Sequence, residues 1–304
     1  SVHGSVSVAM AIAKQLSKLI DIVFEDAGRP KPPRRRRLRR LLIEEMEARR
    51  VLTTIDLASL ASGEGTIIFA AQDGGTTGVS VSSAGDVNGD GFDDVIIGAS
   101  AGNTRPSAGE SYLIFGGPTL PTTIDLANLG SGGITILGAN AHDHSGTVSS
   151  AGDINGDGFD DLIIGAPVAS ALGDAKPRAG ESYVIFGSAS LPATIDLFSL
   201  GSLGTIFYGV NSFDTSGTSI SGAGDVNGDG FDDLIIGADE ADAANNTKSL
   251  AGESYVIFGA ASLPATIDLV NLGSAGTTIF GADTGDKSGA SVKKAGDVNG
   301  DGFR

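Results

Sequence analysis

The chain has 304 residues, of which 40% are hydrophobic, which is enough for one large domain or two ordinary ones with a packed core. It has no cysteine, and this excludes a disulfide framework, a thiolate metal site and a cysteine nucleophile. The formal net charge of −17 is unevenly divided, because residues 1–52 carry 12 basic and 6 acidic side chains and the rest of the chain carries 8 basic and 31 acidic ones. Such an acidic body repels nucleic acid and anionic membranes and favours cations.

Residues 1–52 form a separate basic segment, which we expect to be a leader or export-like element that is partly helical or disordered. A proline-rich break at residues 29–33 precedes an arginine cluster with leucines at near-helical spacing. The arginines could indicate nucleic-acid binding, but a solvated or processed leader explains them without a partner. The chain has no stretch of 18 apolar residues, so we predict no transmembrane helix.

Residues 53–304 are predicted to be a repeat array. The phrase T-I-D-L occurs at Thr54, Thr123, Thr194 and Thr266, and an acidic loop begins at Asp86, Asp153, Asp225 and Asp297. We divide the array into units of about 70 residues at 53–121, 122–192 and 193–263, with an incomplete unit at 264–304. Repetition at a fixed period within one chain indicates duplication of one structural unit.

Each unit contains four or five short runs rich in Ile, Val, Phe, Tyr and Thr, separated by turns of Gly, Asp and Asn. This pattern predicts short strands and no long helix. The runs V-I-I-G and L-I-I-G after the acidic loop are apolar on both faces, as expected for a strand between two packed layers. The sequence therefore predicts an all-β fold, a β-propeller of which about three and a half blades are present.

The acidic loop has the ligand spacing of a calcium site. Asp, Asn, Asp and Asp occupy positions 1, 3, 5 and 9, the glycine at position 6 allows a sharp turn, and the carbonyl of position 7 can point inward. This is the ligand order of the first nine positions of an EF-hand loop. Position 12 is Ile and a strand follows, so we expect position 9 to be the last ligand. The Asp at position 8 is expected to face solvent or neighbouring backbone.

The predicted ligands are, in loop 1, Asp86, Asn88, Asp90, Phe92 and Asp94; in loop 2, Asp153, Asn155, Asp157, Phe159 and Asp161; in loop 3, Asp225, Asn227, Asp229, Phe231 and Asp233; and in a truncated fourth loop Asp297, Asn299 and Asp301. We expect one structural Ca²⁺ in each of the three complete loops, because a divalent cation relieves the repulsion among clustered carboxylates. Magnesium suits this spacing less well, zinc lacks its usual ligands, and turns without any metal are the alternative.

His142 and His144 stand in A-N-A-H-D-H-S-G, and the corresponding stretches of the other units have no histidine. A surface feature explains this pair without a ligand, and a zinc or catalytic site is the alternative. The sequence offers no supported Ser/His/Asp arrangement, and the loop spacing already accounts for the paired carboxylates. We therefore predict no enzyme activity.

Two further motifs carry a family resemblance over about residues 53–304. I-F-G at the ends of the strands before residues 117, 188 and 260, and I-I-G-A-P at residues 163–167 after an acidic loop, resemble the FG-GAP repeats of the integrin α-subunit head. The resemblance implies a β-propeller with calcium in hairpin loops on one face. It also implies a role in adhesion or ligand binding at the cell surface or outside the cell, with a protein or carbohydrate partner.

The same resemblance leaves other readings open. Integrin heads have seven blades, so we expect this chain to be a fragment of a longer protein. FG-GAP-like repeats also accompany phospholipase D-type and polysaccharide-active domains, so the chain could be a non-catalytic propeller part of a secreted hydrolase. A repeat spacer with no partner is a third possibility. R-R-L-L-I-E-E-M-E-A-R-R-V-L, residues 39–52, is similar to an N-terminal element of large bacterial surface and exported proteins, with Met46 in place of Leu.

Overall fold

The computed structural model describes residues 65–71, 76–102, 104–173 and 175–297. The predictions for the basic segment at 1–52, for the T-I-D-L copy at Thr54, and for Asn299 and Asp301 fall outside these residues. The described part contains sixteen β-strands, six 3₁₀ turns and one short α-helix, Ala243–Asn246. The predicted all-β fold is therefore confirmed.

The strands in chain order are β1 (Ile67–Phe69), β2 (Thr77–Gly85), β3 (Asp94–Ala99), β4 (Glu110–Ile114), β5 (Thr123–Asp125), β6 (Gly133–Leu137), β7 (Thr147–Gly152), β8 (Asp161–Ala166), β9 (Glu181–Ile185), β10 (Thr194–Asp196), β11 (Gly204–Tyr208), β12 (Ser219–Gly224), β13 (Asp233–Ala238), β14 (Glu253–Ile257), β15 (Thr266–Asp268) and β16 (Gly276–Phe280). They form three antiparallel four-stranded sheets with the orders β2-β3-β4-β6, β7-β8-β9-β11 and β12-β13-β14-β16. A separate pair, β1 and β5, is parallel. The three sheets are the propeller blades that the repeats predict.

Each T-I-D-L strand that the structure describes pairs with a strand of an earlier unit. Strand β10 pairs in parallel with β6, and β15 pairs in parallel with β11. The sheet that begins with β2 thus takes strands from three consecutive sequence units, 53–121, 122–192 and 193–263. The repeat in the sequence and the sheet in the structure therefore have different boundaries, and neighbouring units are interlocked by main-chain hydrogen bonds.

The hydrophobic core lies between the sheets. In β3, Ile96 belongs to the cluster shared with the second sheet, and Ile97 packs on the opposite side with Tyr112, Ile114 and Leu126. In β8, Ile164 faces the first of these clusters and Ile163 faces the next one along the chain. Adjacent residues of a strand point to opposite faces, so a strand between two cores must be apolar throughout. This confirms the interpretation of L-I-I-G in β8, whereas in V-I-I-G the two Ile residues are buried and Val95 is 37% exposed.

The T-I-D-L strands β10 and β15 are each also held by an ion pair. The Arg105 guanidinium donates to both carboxylate oxygens of Asp196, at 3.0 and 2.7 Å, and to the carbonyl of Gly138 at 2.6 Å. The Lys176 ammonium lies 3.3 Å from both carboxylate oxygens of Asp268. Arg105 holds the pKa of Asp196 below its usual value. These basic residues stand three positions before Ala-Gly-Glu in a loop that otherwise varies between units, a spacing that sequence analysis could have used.

Candidate metal centres

The acidic loops connect the first two strands of each sheet, and each folds around its own carboxylates. In loop 1 the carboxylate oxygens of Asp86 accept hydrogen bonds from the main-chain N–H groups of Asp90, at 3.0 Å, and Gly91, at 2.9 Å. The side-chain oxygen of Asn88 also accepts from Asp90 N–H, at 2.9 Å. Gly91 has a φ of 90°, a conformation that favours glycine. Positions 1, 3 and 5 are thus brought together in one turn.

Loops 2 and 3 repeat this arrangement. Asp153 accepts from the N–H groups of Asp157 and Gly158 at 3.0 and 2.9 Å. Asp225 accepts from Asp229 and Gly230 at 3.1 and 3.0 Å. In all three loops the carboxylate of position 5 accepts from the N–H of position 7 at 3.0 Å. The predicted ligand side chains at positions 1, 3 and 5 therefore share one turn in each described loop.

The Asp at position 9 lies beneath the loop and holds main-chain groups. Asp161 is fully buried, and its two carboxylate oxygens accept from the N–H groups of Ile154, at 2.9 Å, and Gly187, at 2.8 Å. Asp94 and Asp233 make the same pair of bonds within their own sheets. Position 9 thus ties the start of the loop to the I-F-G end of the third strand. This explains structurally why I-F-G recurs with the acidic loop, and the ligand role of position 9 stays a prediction.

The loops concentrate negative charge. Burial, with smaller contributions from the charges of Asp157 and Asp153, raises the pKa of Asp161 to about 7. Burial likewise raises the pKa of Asp94 and of Asp233. The ion pairs found among the described residues join Arg105 to Asp196, Lys176 to Asp268 and Lys287 to Asp239, so none of them neutralises a loop carboxylate. A bound cation would offset both the energetic cost of burying the position-9 carboxylate and the repulsion between it and the other carboxylates of the loop.

The donor set of each loop consists only of oxygen atoms, which suits calcium. Counting His, Asp and Glu side chains alone, the described residues contain no group of three or more that could hold a metal ion. A calcium site here must therefore combine carboxylates with the amide oxygen of position 3 and with main-chain oxygens, as the predicted ligand set does. The residues present fit the cation on these chemical grounds, and calcium binding stays a prediction.

The two histidines of A-N-A-H-D-H-S-G are both exposed and flank the buried Asp143. His142 N–H donates to the carbonyl of Pro106 at 2.9 Å, and His144 N–H donates to that of Ser107 at 3.0 Å. The main-chain conformation of this turn recurs at Phe213, where no histidine is present. The turn therefore has a structural explanation that does not use the imidazoles.

A second group of buried acids lies outside the acidic loops, in the turn before β12 and in β14. Asp214 is 4% exposed and accepts from the main-chain and side-chain N–H groups of Asn211, at 3.0 and 3.1 Å. Burial, with smaller contributions from the charges of Glu253 and Asp242, raises the pKa of Asp214 to about 6. Glu253 is also buried, accepts from the Tyr255 hydroxyl, and has its pKa raised by burial. Sequence analysis missed this group, because its members are separated along the chain.

We expect Asp214 to give the protein a pH-dependent stability. Because its pKa is raised by burial, the folded state binds more protons than the unfolded state between about pH 4 and pH 6. The free energy of unfolding should therefore fall as the pH rises through this range, and Asp214→Asn should remove that part of the fall. The measurement is the melting temperature of both proteins from pH 4 to pH 7.

Asp286 provides the matched control for this experiment. It holds the equivalent turn in the next unit, accepting from Asp283 N–H at 2.8 Å, but it is exposed. Asp286→Asn should leave the pH profile of the melting temperature unchanged. Equal effects of the two substitutions would contradict burial as the cause.

Comparison with known proteins agrees with this fold and these loops. The FG-GAP repeat matches residues 77–114, 145–185 and 216–257. Each match covers the first three strands of one sheet with the acidic loop between the first two. The recurring element is therefore the strand–acidic loop–strand hairpin together with the strand that ends in I-F-G.

The chain is also similar to parts of two groups of proteins. It is 29% identical over 158 residues to integrin alpha-5 of Xenopus laevis, a match covering 51% of this chain and 13% of that protein. It is 32% identical over 169 residues to integrin alpha-4 of Xenopus laevis, covering 53% and 14%. It is 33% identical over 170 residues to phosphatidylinositol-glycan-specific phospholipase D of Dictyostelium discoideum, covering 50% and 17%. The chain thus matches less than a fifth of the length of these relatives.

Sheets of four antiparallel strands, packed face to face and interlocked by a strand from a later unit, define a repeat protein of the β-propeller class. The chain contains three FG-GAP repeats, and its repeat region resembles the N-terminal domain of integrin alpha subunits. Within the described residues, no helix has both the length and the apolar character needed to cross a bilayer.

Proposed function

We propose that the chain is a calcium-binding FG-GAP module that serves adhesion or ligand binding at the cell surface or outside the cell. The main support for calcium binding is that the Asp, Asn and Asp side chains at positions 1, 3 and 5 lie together around one turn in all three loops. Each turn also lies over a buried carboxylate at position 9. The cation would be structural, because it would order a glycine-rich connection by binding only the folded chain.

Calcium titration by isothermal calorimetry tests this proposal directly. The expected result is three bound ions per chain, with the ligands drawn from the three complete loops. Zinc should give no comparable binding, because each loop offers only oxygen donors. A protein that has been freed of divalent cations and still takes up no calcium at millimolar concentration would contradict the proposal.

Adhesion and an extracellular location are proposed from the resemblance to integrin alpha subunits. We propose that the partner is a protein or a carbohydrate, that nucleic acid is not bound, and that the chain is not an enzyme. The charge supports the exclusion of nucleic acid, because the part of the chain after residue 52 is strongly acidic. A screen of the protein against immobilised extracellular-matrix proteins and glycans, with and without calcium, tests the partner class.

The second candidate is a propeller that accompanies a secreted hydrolase. The observation that favours it is the 33% identity to the phospholipase D of Dictyostelium discoideum over 170 residues. Hydrolysis of phospholipid or polysaccharide by the chain itself would contradict the non-catalytic role in both candidates. Failure to bind any surface ligand, together with binding to a hydrolase domain, would favour the second candidate.

A further inference from the structure

Each of the first two acidic loops is contacted by the acidic loop of the following sheet. The carboxylate of Asp160, at position 8 of loop 2, accepts a hydrogen bond from the main-chain N–H of Asp86, at position 1 of loop 1, at 2.8 Å. The N–H of Asp160 donates back to the carbonyl of Asp86 at 3.2 Å. Asp232 of loop 3 holds Asp153 of loop 2 in the same way, at 3.1 and 3.2 Å. In both pairs, the Asp at position 8 forms hydrogen bonds with the main-chain N–H and the main-chain carbonyl of position 1 in the preceding loop.

The aromatic residue at position 7 adds a second contact. A Cβ atom on Gly89, at position 4 of loop 1, would lie 2.5 Å from the ring of Phe159. A Cβ atom on Gly156 would lie 2.6 Å from the ring of Phe231. Real Cβ atoms essentially never approach another atom this closely, so with any larger residue at position 4 the ring of the following loop would have to move away from the turn. Phe92 of loop 1 is 40% exposed.

Loop 3 differs from the other two in the part of the chain that the structure describes. Position 2 is completely buried in loops 1 and 2, as Val87 and Ile154, but Val226 of loop 3 is 47% exposed. The carbonyls of Val87 and Ile154 accept from Ser188 N–H at 2.9 Å and Ala260 N–H at 3.0 Å, groups that belong to the following sheet. Among the described residues, position 2 is therefore covered by the following sheet in loops 1 and 2 and exposed in loop 3.

We infer that Asp160 and Asp232 are positioning residues for the preceding loop and not ligands of their own loop. Both carboxylate oxygens of Asp86 hold N–H groups of loop 1, so a fixed main chain at Asp86 fixes the direction of those oxygens. When the oxygen ligands are already held in place before the ion binds, binding costs less conformational entropy. The inference rests on the proposed calcium function and deepens it, because calcium affinity in each loop then depends on the following sheet.

The test compares Asp160→Ala with Asp93→Ala. Asp93 is the same residue type at the same loop position, but it is exposed, and the described residues contain no preceding loop for it to hold. Hydrogen–deuterium exchange by mass spectrometry resolves the peptides that contain residues 86–91, 153–158 and 225–230. The full chain is measured in EDTA and over a calcium titration.

In EDTA, we expect Asp160→Ala to speed exchange at residues 86–91 and to leave residues 153–158 unchanged. Over the titration, the calcium needed to protect residues 86–91 should rise about tenfold, which corresponds to about 1.4 kcal/mol. Asp93→Ala should change neither loop. Asp160→Asn keeps an acceptor oxygen and should restore most of the affinity of loop 1, which a loss of general stability would not allow.

Two results would overturn the inference. One is an effect of Asp160→Ala confined to its own loop, and the other is an equal effect of Asp93→Ala. If calcium protects none of the loops in the wild type, two claims fail together. They are the proposed calcium binding and the dependence of calcium affinity on the following sheet. The exchange rates in EDTA then still decide whether Asp160 orders the preceding loop.

Discussion

Removal of divalent cations with EDTA is expected to lower the melting temperature of the protein by on the order of 10 °C or more, and added calcium should restore it. An ion at 100 times its dissociation constant stabilises the folded state by about 2.7 kcal/mol per site. Each kcal/mol shifts the melting temperature by about 2–4 °C in a domain of roughly this size. Among the described residues, no basic side chain pairs with a carboxylate of the three loops, so none competes with a bound cation for them. The full stabilisation by the cation should therefore appear in the melting temperature. Differential scanning fluorimetry or calorimetry measures this shift.

Two controls separate site binding from charge screening. The chain carries a net charge of −17, so any salt reduces its self-repulsion. Sodium chloride at matched ionic strength should therefore recover only a small part of the shift. Magnesium should recover less than calcium, because it needs strict octahedral geometry and keeps its waters. A melting curve that is the same in EDTA and in calcium would contradict a structural cation.

Replacing Asp161 by Ala is expected to destabilise the folded chain by about 2–4 kcal/mol even in EDTA. The substitution leaves the buried N–H groups of Ile154 and Gly187 without an acceptor, and each such group costs about 1–3 kcal/mol. Removal of a buried charge, whose cost is visible in the raised pKa of Asp161, offsets part of this loss. The measurement is the free energy of unfolding in urea.

Asp157→Ala is the matched control in the same loop. Asp157 is exposed and holds only one main-chain N–H, that of Phe159, so its loss should cost less than about 1 kcal/mol in EDTA. It should nevertheless remove one of the three calcium ions in a calorimetric titration. Unchanged stability of Asp161→Ala in EDTA, or loss of all calcium binding in Asp157→Ala, would contradict these roles.

Most of the secondary structure and the identity of the loops could be predicted from the sequence. The strand β8 and its neighbours are apolar on both faces because they lie between two cores, and this leaves a continuous run of Leu and Ile that is visible in the sequence. The turn formed by positions 1 to 6 of each loop is equally local, since its hydrogen bonds join residues no more than five apart. Local spacing is enough to indicate such features.

Long-range contacts could not be predicted in this way. Arg105 and Asp196 are 91 residues apart, and Asp160 and Asp86 are 74 apart. The partner of a T-I-D-L strand is likewise a strand of an earlier unit, which the repeat boundaries concealed. A motif repeated along the sequence shows that its copies have equivalent roles. It does not show which repeat supplies the contact partner of a given residue.

The sequence by itself determined the all-β class, the repeat and the conformation of each acidic turn, because these depend on side-chain periodicity and on hydrogen bonds between near neighbours. Only the tertiary structure decided that position 9 is a buried acceptor for two main-chain groups and that position 8 holds the preceding loop. The reason is physical: the energy of a buried carboxylate depends on which N–H groups the packing of sheets brings to it. For position 9 that packing joins residues 26 apart, and for position 8 it joins residues 74 apart, which is more than the length of a whole unit.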